Sequence, residues 1–573
     1  MKTWIWATIA VLCVVLSFGA GLMIFAMNRE ADNAAFTFLN RVADKITRTI
    51  SAVTEDPEAA RTEYFPSIHL GLEGRVVTVP RASRPGAAGG ITNVGDEVVL
   101  TTFEGKIYTA RADGTLTETR ITTPDHGIDA YIAASKRPPY DSMNHSIGRL
   151  RYNGIAHYDG PHGSALLLSY IKYHDAEECV TSVVSELPLP NGTPASQLEA
   201  GPKDWSVLYE TAPCLPMKAG PHLAIQGDES GGRIAFSPDG EKTYFSVGDF
   251  GWNGWDAIVD HPLAPTPVAQ NDAADYGKII EIDMATREAR HISKGHRNPQ
   301  GIAVDPAGNI WEVEHGPRGG DELNLIEDGN NYGWPFETYG TDYNGAPIPV
   351  ATSYAQHDRF TKPVFTWLPS VATCALTVVR GFHPAWDGDL LATTLNGRML
   401  IRIRIDGKRA VFAERIPVGN RRIRDVHQLP DDTIVLWTDS HELIFLSPLE
   451  GGEGEQFIDR HLAAMDLPED TRTAIAAALD HCSDCHSFSR GENRIGPSLT
   501  NVFDEPVGRA DPFEYSEAMA SASGEWTAER LKAFLRDPEA EIPGTAMPDP
   551  EIEDEAVLDG VVEILKVLHE QEW

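Results

Sequence analysis

Cysteine is scarce in this chain, with six residues in 573, too few for a disulfide scaffold. Positive charge is scarce too: 48 Lys and Arg stand against 84 Asp and Glu, a formal net charge of −36. Nucleic acids bind to clustered basic surface, so a nucleic-acid partner is not expected. Long apolar runs are missing except for one, Thr3–Met27, which holds 25 residues without a charge. A secretory h-region needs about 7–15 apolar residues and a bilayer crossing about 20. No A-x-A cleavage site follows the run. The expectation is a retained transmembrane helix within 1–30 and an ectodomain in the periplasm. Lys2 alone is too little to fix orientation.

Hydrophobic residues at 42% exclude a mainly disordered chain. After the apolar run, Phe36, Leu39, Val42, Ile46 and Ile50 have helical spacing; this predicts a stalk and linker over 31–63. Between 64 and 450 the texture changes to short β-branched runs broken by Gly, Pro, Asp and Asn. Glu97–Thr102, Ala165–Tyr170, Lys278–Ile282, Leu400–Ile405 and Thr433–Thr438 read as strands. Ile234–Asp249 (IAFSPDGEKTYFSVGD), Ile302–Gly316 (IAVDPAGNIWEVEHG) and Val426–Asp439 (VHQLPDDTIVLWTD) repeat a strand, a proline turn and a second strand. Their prolines, Pro238, Pro306 and Pro430, are 68 and 124 residues apart, and a looser copy at Pro384 falls in the wider gap. A hairpin recurring about every 62 residues is the mark of a β-propeller, here of six blades. A β-sandwich would leave that period unexplained.

From 455 to 573 Ala, Leu and Ile return at helical spacing, in Thr471–Leu479, Thr527–Leu535 and Glu555–Leu568, predicting a small all-α domain. Residues 451–573 hold 28 Asp/Glu and 9 Lys/Arg, either a solvated surface or a docking face for a basic redox partner. Within this segment stands His481-Cys482-Ser483-Asp484-Cys485-His486. Two thiols three positions apart capture both vinyl groups of a haem, and the next imidazole, His486, faces the iron. A zinc site would want a second Cys/His pair, but only His569 follows Ser487; a thioredoxin-like dithiol would want an α/β setting. The order of this motif, Gly496-Pro497-Ser498-Leu499 and Pro543-Gly544-Thr545-Ala546-Met547-Pro548 resembles class I cytochrome c. That resemblance implies one covalent haem c on Cys482 and Cys485, with Met547 as the second axial ligand of the iron. Met519 competes but lacks the proline-bounded loop. Cys179 and Cys214 are left free to pair in an exported ectodomain, and Cys374 would then remain a single buried thiol.

The most distinctive stretch of the β region is Gly295-His296-Arg297-Asn298-Pro299-Gln300-Gly301. Glu314-His315-Gly316-Pro317-Arg318-Gly319-Gly320-Asp321-Glu322 and Gly329-Asn330-Asn331-Tyr332-Gly333-Trp334-Pro335 follow it. Arginine with amides suits recognition of carboxylate and carbonyl oxygens, although polar blade-connecting turns use the same residues. Over Val76–Ser447 these segments resemble the soluble glucose, aldose sugar and sorbosone dehydrogenase family, six-bladed propellers that bind pyrroloquinoline quinone (PQQ) and calcium. The resemblance implies that Arg297, Asn298, Gln300, Ser370, Arg422 and Arg424 contact PQQ. It implies that the backbone carbonyls of Gly316 and Pro317 bind calcium and that Asp321 supports the catalytic base. Two positions depart from the family pattern. Glu229 stands where the family base is a histidine, and Asn396 where the best-known members carry a lysine. His222 and Asp228 are nearby substitutes for the base. The expected protein is a membrane-anchored quinohaemoprotein dehydrogenase. It would oxidise a sugar or polyol and pass electrons through the haem to a redox partner or respiratory chain acceptor. The rival is a non-catalytic propeller that binds a glycan or partner and displays an electron-transfer cytochrome.

Overall fold

A computed structural model describes residues 61–570 apart from residues 69, 81–88, 142–146, 191–192, 220–223, 256–262, 264–265, 354, 450–452, 466, 490–492, 501 and 510–512. The expected anchor and stalk, and His222, lie outside the described residues. Among the described residues, no helix is long and apolar enough to cross a membrane.

Residues 61–449 fold into six mainly antiparallel sheets, two of which add a two-residue parallel strand at the edge. Each contributes one innermost strand: Ile91–Val94, Tyr152–Gly160, Gly231–Phe236, Pro299–Val304, Thr373–Val378 and Ile423–Gln428. These six touch neighbour to neighbour in a closed ring, the arrangement of a six-bladed propeller. The proline hairpins are the first two strands of the last four blades. Val304 pairs with Ile310, Gln428 with Ile434, Phe236 with Thr243 and Val378 with Leu390. Middle strands such as Ile310–Glu314 are buried along their whole length, because blades cover both of their faces. Apolar clusters therefore sit between successive blades: Leu391, Leu400 and Ile416 pack against Ile423, Leu436 and Leu446.

The ring closes by joining the two ends of the β region. Gly71–Thr78 pairs antiparallel with Glu442–Leu449, and Arg61–Pro66 pairs with Gly71–Thr78. The outermost strand thus begins at Arg61, inside the segment read as a linker. Arg421 bonds Glu63 at 2.6 Å and Glu442 at 2.7 Å, stitching the first strand to the last. Closure ties the two ends of the β region together, while each blade keeps one outer strand paired on a single side, such as Arg409–Pro417. Cys179 and Cys214 form a disulfide within the second blade, and Cys374 is a buried free thiol.

Glu453–Ala464, Glu469–Ser483, Ala528–Arg536 and Glu555–His569 are the longer helices of the C-terminal domain. Local chemistry fixes their starts: Thr527 Oγ1 accepts from the Arg530 N–H, and the Asp554 carboxylate from that of Ala556. Ile475 and Leu479 of one long helix and Leu558, Val561 and Leu565 of another share a single core with Phe534 and Trp526. They cross closely at Gly560, where a Cβ would stand 2.2 Å from Ile475 Cδ1.

Candidate functional site

The innermost strands run in one direction, so the residues just before them gather at one mouth of the propeller. Arg297, before the fourth blade, is held from three sides. Its backbone N–H donates to Glu314 Oε2 at 2.6 Å, and one guanidinium arm donates to the carbonyls of His315 (3.3 Å) and Gly316 (3.2 Å). The other arm donates to Glu229 Oε1 at 2.5 Å. The guanidinium also lies 5.5 Å over the Trp334 ring. The Trp334 indole N–H in turn donates to Asp249 Oδ2 at 2.7 Å. Glu229, Asp249 and Arg297 thus form one buried constellation. Burial holds the Glu229 carboxyl above its ordinary range, with the Arg297 charge opposing and Asp228 reinforcing the rise. Burial, then the charge of Glu229, pushes the Asp249 carboxyl up to about 8. The two carboxyls therefore hold a proton between them near neutrality.

The remaining predicted residues divide between the wall and the rim. Asn298 Oδ1 accepts from the Gly231 N–H (3.1 Å) and from Gln300 Nε2 (2.8 Å). Gln300 Oε1 and Arg424 Nη1 each lie 3.7 Å from Cys374 Sγ, so that thiol links them. Arg424 forks onto Asp439 through two bonds of 3.0 Å. Arg422 reaches the same carboxylate at 3.0 Å, but its side chain is 45% exposed whereas that of Arg424 is buried. Asp321 accepts from the N–H groups of Gly316 (3.0 Å), Val371 (2.8 Å) and Ala372 (2.6 Å) and from Ser370 Oγ (2.6 Å). With both oxygens filled, Asp321 fixes the two loops that carry Gly316 and Ser370. Its bonds run to these loops and not to Glu229. His315 Nε2 is buried without a hydrogen-bond partner. Burial, reinforced by Arg297 and opposed by Asp321, pushes that imidazole down to about 4, so it is neutral.

Asp228 is turned aside. Its carboxylate pairs with Arg149, while its carbonyl accepts from Asn298 Nδ2 at 3.1 Å. Asn396 is exposed. A separate cavity of 580 Å³ lies further along the central channel, beyond the Arg233–Asp425 ion pair of 2.9 Å.

In the C-terminal domain a cavity of 480 Å³ is lined by Cys482, Cys485, His486, Pro497, Met519 and Met547. His486 Nδ1 donates to the Pro497 carbonyl at 2.7 Å. That bond fixes the tautomer and leaves Nε2 free for a metal. Glycine is required beside the ring, since a Cβ on Gly496 would stand 2.3 Å from His486 Cε1. The donor set and the space fit a haem joined through two thioethers.

The family described as Glucose / Sorbosone dehydrogenase matches residues 218–446. Aldose sugar dehydrogenase YliI of Escherichia coli (strain K12) is 38% identical over 183 residues, 30% of this chain and 49% of that protein. Cytochrome c2 of Blastochloris viridis is 32% identical over 108 residues, 18% of this chain and 85% of that protein. The chain belongs to the cytochrome c family through its C-terminal domain, and its propeller is of the glucose/sorbosone dehydrogenase type. The crystal structure of the soluble aldose sugar dehydrogenase from Escherichia coli, in its apo form, has the same propeller fold. The TM-score is 0.50 at 22% identity, covering 65% of this chain and 99% of that one. The chain spans 58%, 49% and 59% of the length of three curated relatives that it matches over its β region.

In this propeller–cytochrome fusion, Glu229 and Arg297 are equivalent in the repeat. Each stands nine residues before its turn proline (238 − 229 and 306 − 297). Asp249 and Asp439, which the sequence reading passed over as the ends of hairpins, face the same mouth because both close a second strand. Trp334 was quoted only as part of a glycine-rich segment, and nothing in its spacing marks it as the floor beneath Arg297.

Proposed function

We propose that the fusion is a quinohaemoprotein dehydrogenase that oxidises a sugar or related alcohol at the propeller mouth and relays electrons through a c-type haem to an external acceptor. The observation that carries this reading is the buried Glu229–Arg297 pair among Asn298, Gln300 and Arg424, on a chain that also holds the Cys482/Cys485/His486 pocket. PQQ, when bound with calcium, supplies a two-electron oxidant for the carbinol carbon. Arg297, Arg422 and Arg424 would pair with its acid groups, Arg297 through the one arm that now meets Glu229, while Asn298 and Gln300 present amide dipoles and Ser370 its hydroxyl. The orphaned His315 Nε2 offers one more polar contact. Gly316 and Pro317 offer the hard carbonyl oxygens that calcium prefers.

Glu229 then takes the hydroxyl proton of the substrate, and its raised carboxyl suits that task near neutral pH. Asp321 acts by position, fixing the loops of Gly316 and Ser370. In the cytochrome domain Cys482 and Cys485 would carry the haem, and His486 and Met547 would be its iron ligands. A thioether and an imidazole as the iron's protein ligands would raise its potential and favour electron transfer. The uncharged run Thr3–Met27 supports a membrane-anchored protein with its ectodomain in the periplasm, close to a respiratory acceptor.

The Glu229–Arg297 pair also favours the rival reading, because a base held by a guanidinium is a poor base. One experiment separates the two. PQQ and Ca²⁺ are added to the purified chain, aldoses and polyols are supplied, and the haem spectrum is followed. Reduction by a sugar supports the dehydrogenase. No reduction with any sugar, together with no PQQ binding, leaves a binding propeller that displays a cytochrome.

A further inference from the structure

Behind Arg297, on the side away from the mouth, lies a second cluster that the dehydrogenase reading does not use. His296 is fully buried, with Nδ1 3.3 Å from Glu314 Oε1 and 4.0 Å from Glu312 Oε2. Asn324 Nδ2 lies 3.1 Å from Glu312 Oε2, 3.3 Å from Glu314 Oε1 and 3.4 Å from Glu322 Oε2. One amide with two hydrogens is thus set against three buried carboxylates. His296 is their one ion-pair partner among the described residues. Two polar atoms inside the cluster, Glu312 Oε1 and Asn324 Oδ1, have no hydrogen-bond partner. Both belong to side chains that are 0% exposed, where an unmet acceptor costs about 1–3 kcal/mol. Acceptors outnumber donors, and a cation in the space between them corrects the imbalance.

We propose that His296 Nδ1 and the carboxylates of Glu312 and Glu314 form a binding site for a borderline divalent cation, Mn²⁺ or Zn²⁺. Donors about 2.1 Å from such an ion lie about 3.0–4.2 Å from one another, a span that includes the observed 3.3 and 4.0 Å. Imidazole with carboxylates suits Zn²⁺ or Mn²⁺, whereas calcium takes oxygen donors alone. His296 Nε2 lies 2.8 Å from Ser293 Oγ. With the ion on Nδ1, Nε2 donates to that hydroxyl, the usual outer partner of a metal-bound histidine. Turned over, the Asn324 amide would bring Oδ1 towards the ion and meet its unpaired acceptor.

The site would act as a rivet. His296 precedes Arg297, Glu314 Oε2 takes the Arg297 N–H at 2.6 Å, and Glu322 follows Asp321. An ion here fixes the strands from which both Arg297 and the Gly316 loop project. The inference does not depend on the dehydrogenase reading, since it concerns a structural ion.

The test begins with metal analysis of the full chain, purified from cells supplied with Mn²⁺ and Zn²⁺, using haem iron to count chains. The expected result is about one Mn or Zn per haem iron, lost from Glu312→Gln and from His296→Gln. After chelator treatment, Zn²⁺ or Mn²⁺ alone should raise the thermal midpoint of the wild type. Glu312→Gln should need at least about tenfold more of either ion for the same rise. A wild type that holds calcium only, or no metal beyond haem iron, and whose midpoint ignores both ions, overturns the proposal. So does an equal response in wild type and Glu312→Gln, and so does a metal-free protein whose stability Glu312→Gln leaves unchanged or raises, which assigns the cluster to shared protons. Should both variants fail to fold, the metal count and the response of the wild type decide the question.

Discussion

Arg297 cannot serve two anions with the same arm. In this structure one arm is spent on the carbonyls of His315 and Gly316, and the other on Glu229 at 2.5 Å. If an acid group of PQQ takes the second arm, Glu229 loses its counter-charge and gains a like charge nearby. An opposite charge at contact distance lowers a carboxyl by about 1–3 pH units, so its loss should raise Glu229 by a similar amount, equivalent to about 1.4–4 kcal/mol. Glu229 already lies above its ordinary range. The further rise in the same direction means that cofactor binding should be accompanied by net proton uptake. The sign follows from linkage. The complex binds more protons than the free protein, so affinity rises as pH falls between the free and bound values of Glu229 and is flat outside that window. Calorimetric titration with PQQ in buffers of different ionisation enthalpy measures the uptake directly. Glu229→Gln, which keeps size but not charge, should abolish it and tighten binding at high pH. Equal heats in every buffer for the wild type, with PQQ bound, would refute the exchange of partners at Arg297.

Glu229→Gln should also cut sugar-driven haem reduction by about 10²–10⁴-fold, and Glu229→His should restore part of it with a pH profile moved towards the imidazole range. Turnover unchanged in Glu229→Gln would make that residue a bystander. Met547→Ala should keep covalent haem but lower its potential and let added imidazole bind the iron, whereas Met519→Leu should leave the potential alone. Redox titration of both variants checks the assignment, and the reverse pattern would transfer the ligand role to Met519. His427 offers a pH test. Its Nε2 lies 2.6 Å from Asn93 Oδ1, and burial, then the charge of His157, pushes its imidazole down to about 4. The unfolded chain takes that proton below about 6.5 and the folded chain does not, so stability should fall by about 1–3 kcal/mol as pH drops from 6.5 to 4. Denaturant unfolding of His427→Gln should show a correspondingly shallower fall. The Cys179–Cys214 disulfide spans 35 residues and should contribute about 3–4 kcal/mol on a loop-entropy basis. A double Ala variant with an unchanged denaturant midpoint would contradict that.

What could be read from the sequence follows from what each feature is made of. The blade period was visible because every blade must turn between its first and second strands, and Pro238, Pro306, Pro384 and Pro430 mark four of those turns. The first blade turns without a proline at Val94–Glu97, and the second turns tightly at Gly160–Gly163 through Pro161, 77 residues before Pro238 and so off the 62-residue spacing; the repeat faded there although the sheets are built alike. The haem pocket was legible because covalent capture needs two thiols and an imidazole at fixed spacing along one helix end. The mouth of the propeller was legible only in part. Arg297, Asn298 and Gln300 share one segment, but their partners arrive from other blades: Glu229 from 68 residues upstream and Arg424, through Cys374, from more than a hundred downstream. Asp321, which the family resemblance implies supports the base, has its two oxygens filled by Gly316, Ser370, Val371 and Ala372.

Repetition itself contains the missing clue. A propeller rotates one pattern about one axis, so where the innermost strand ends at the same distance before the turn proline, as it does before Pro238, Pro306 and Pro430, residues at equal offsets along it share a height in the channel. Offset nine gives Glu229 and Arg297, which meet. The residues that follow the second strands Lys242–Val247 and Ile434–Thr438 include Asp249, close to Glu229, and Asp439, which holds Arg422 and Arg424, although their distances from the turn proline differ by two residues. The charges at one mouth are therefore legible in the sequence once the repeat is used as a ruler for height, not only as a count of blades. The same ruler separates Glu312 from the mouth. It lies within the second strand of its hairpin, four residues before Gly316, so its carboxylate faces the neighbouring strand and not the channel opening. That difference in height divides the proposed metal cluster from the cofactor site, although the two are adjacent in the chain at His296 and Arg297.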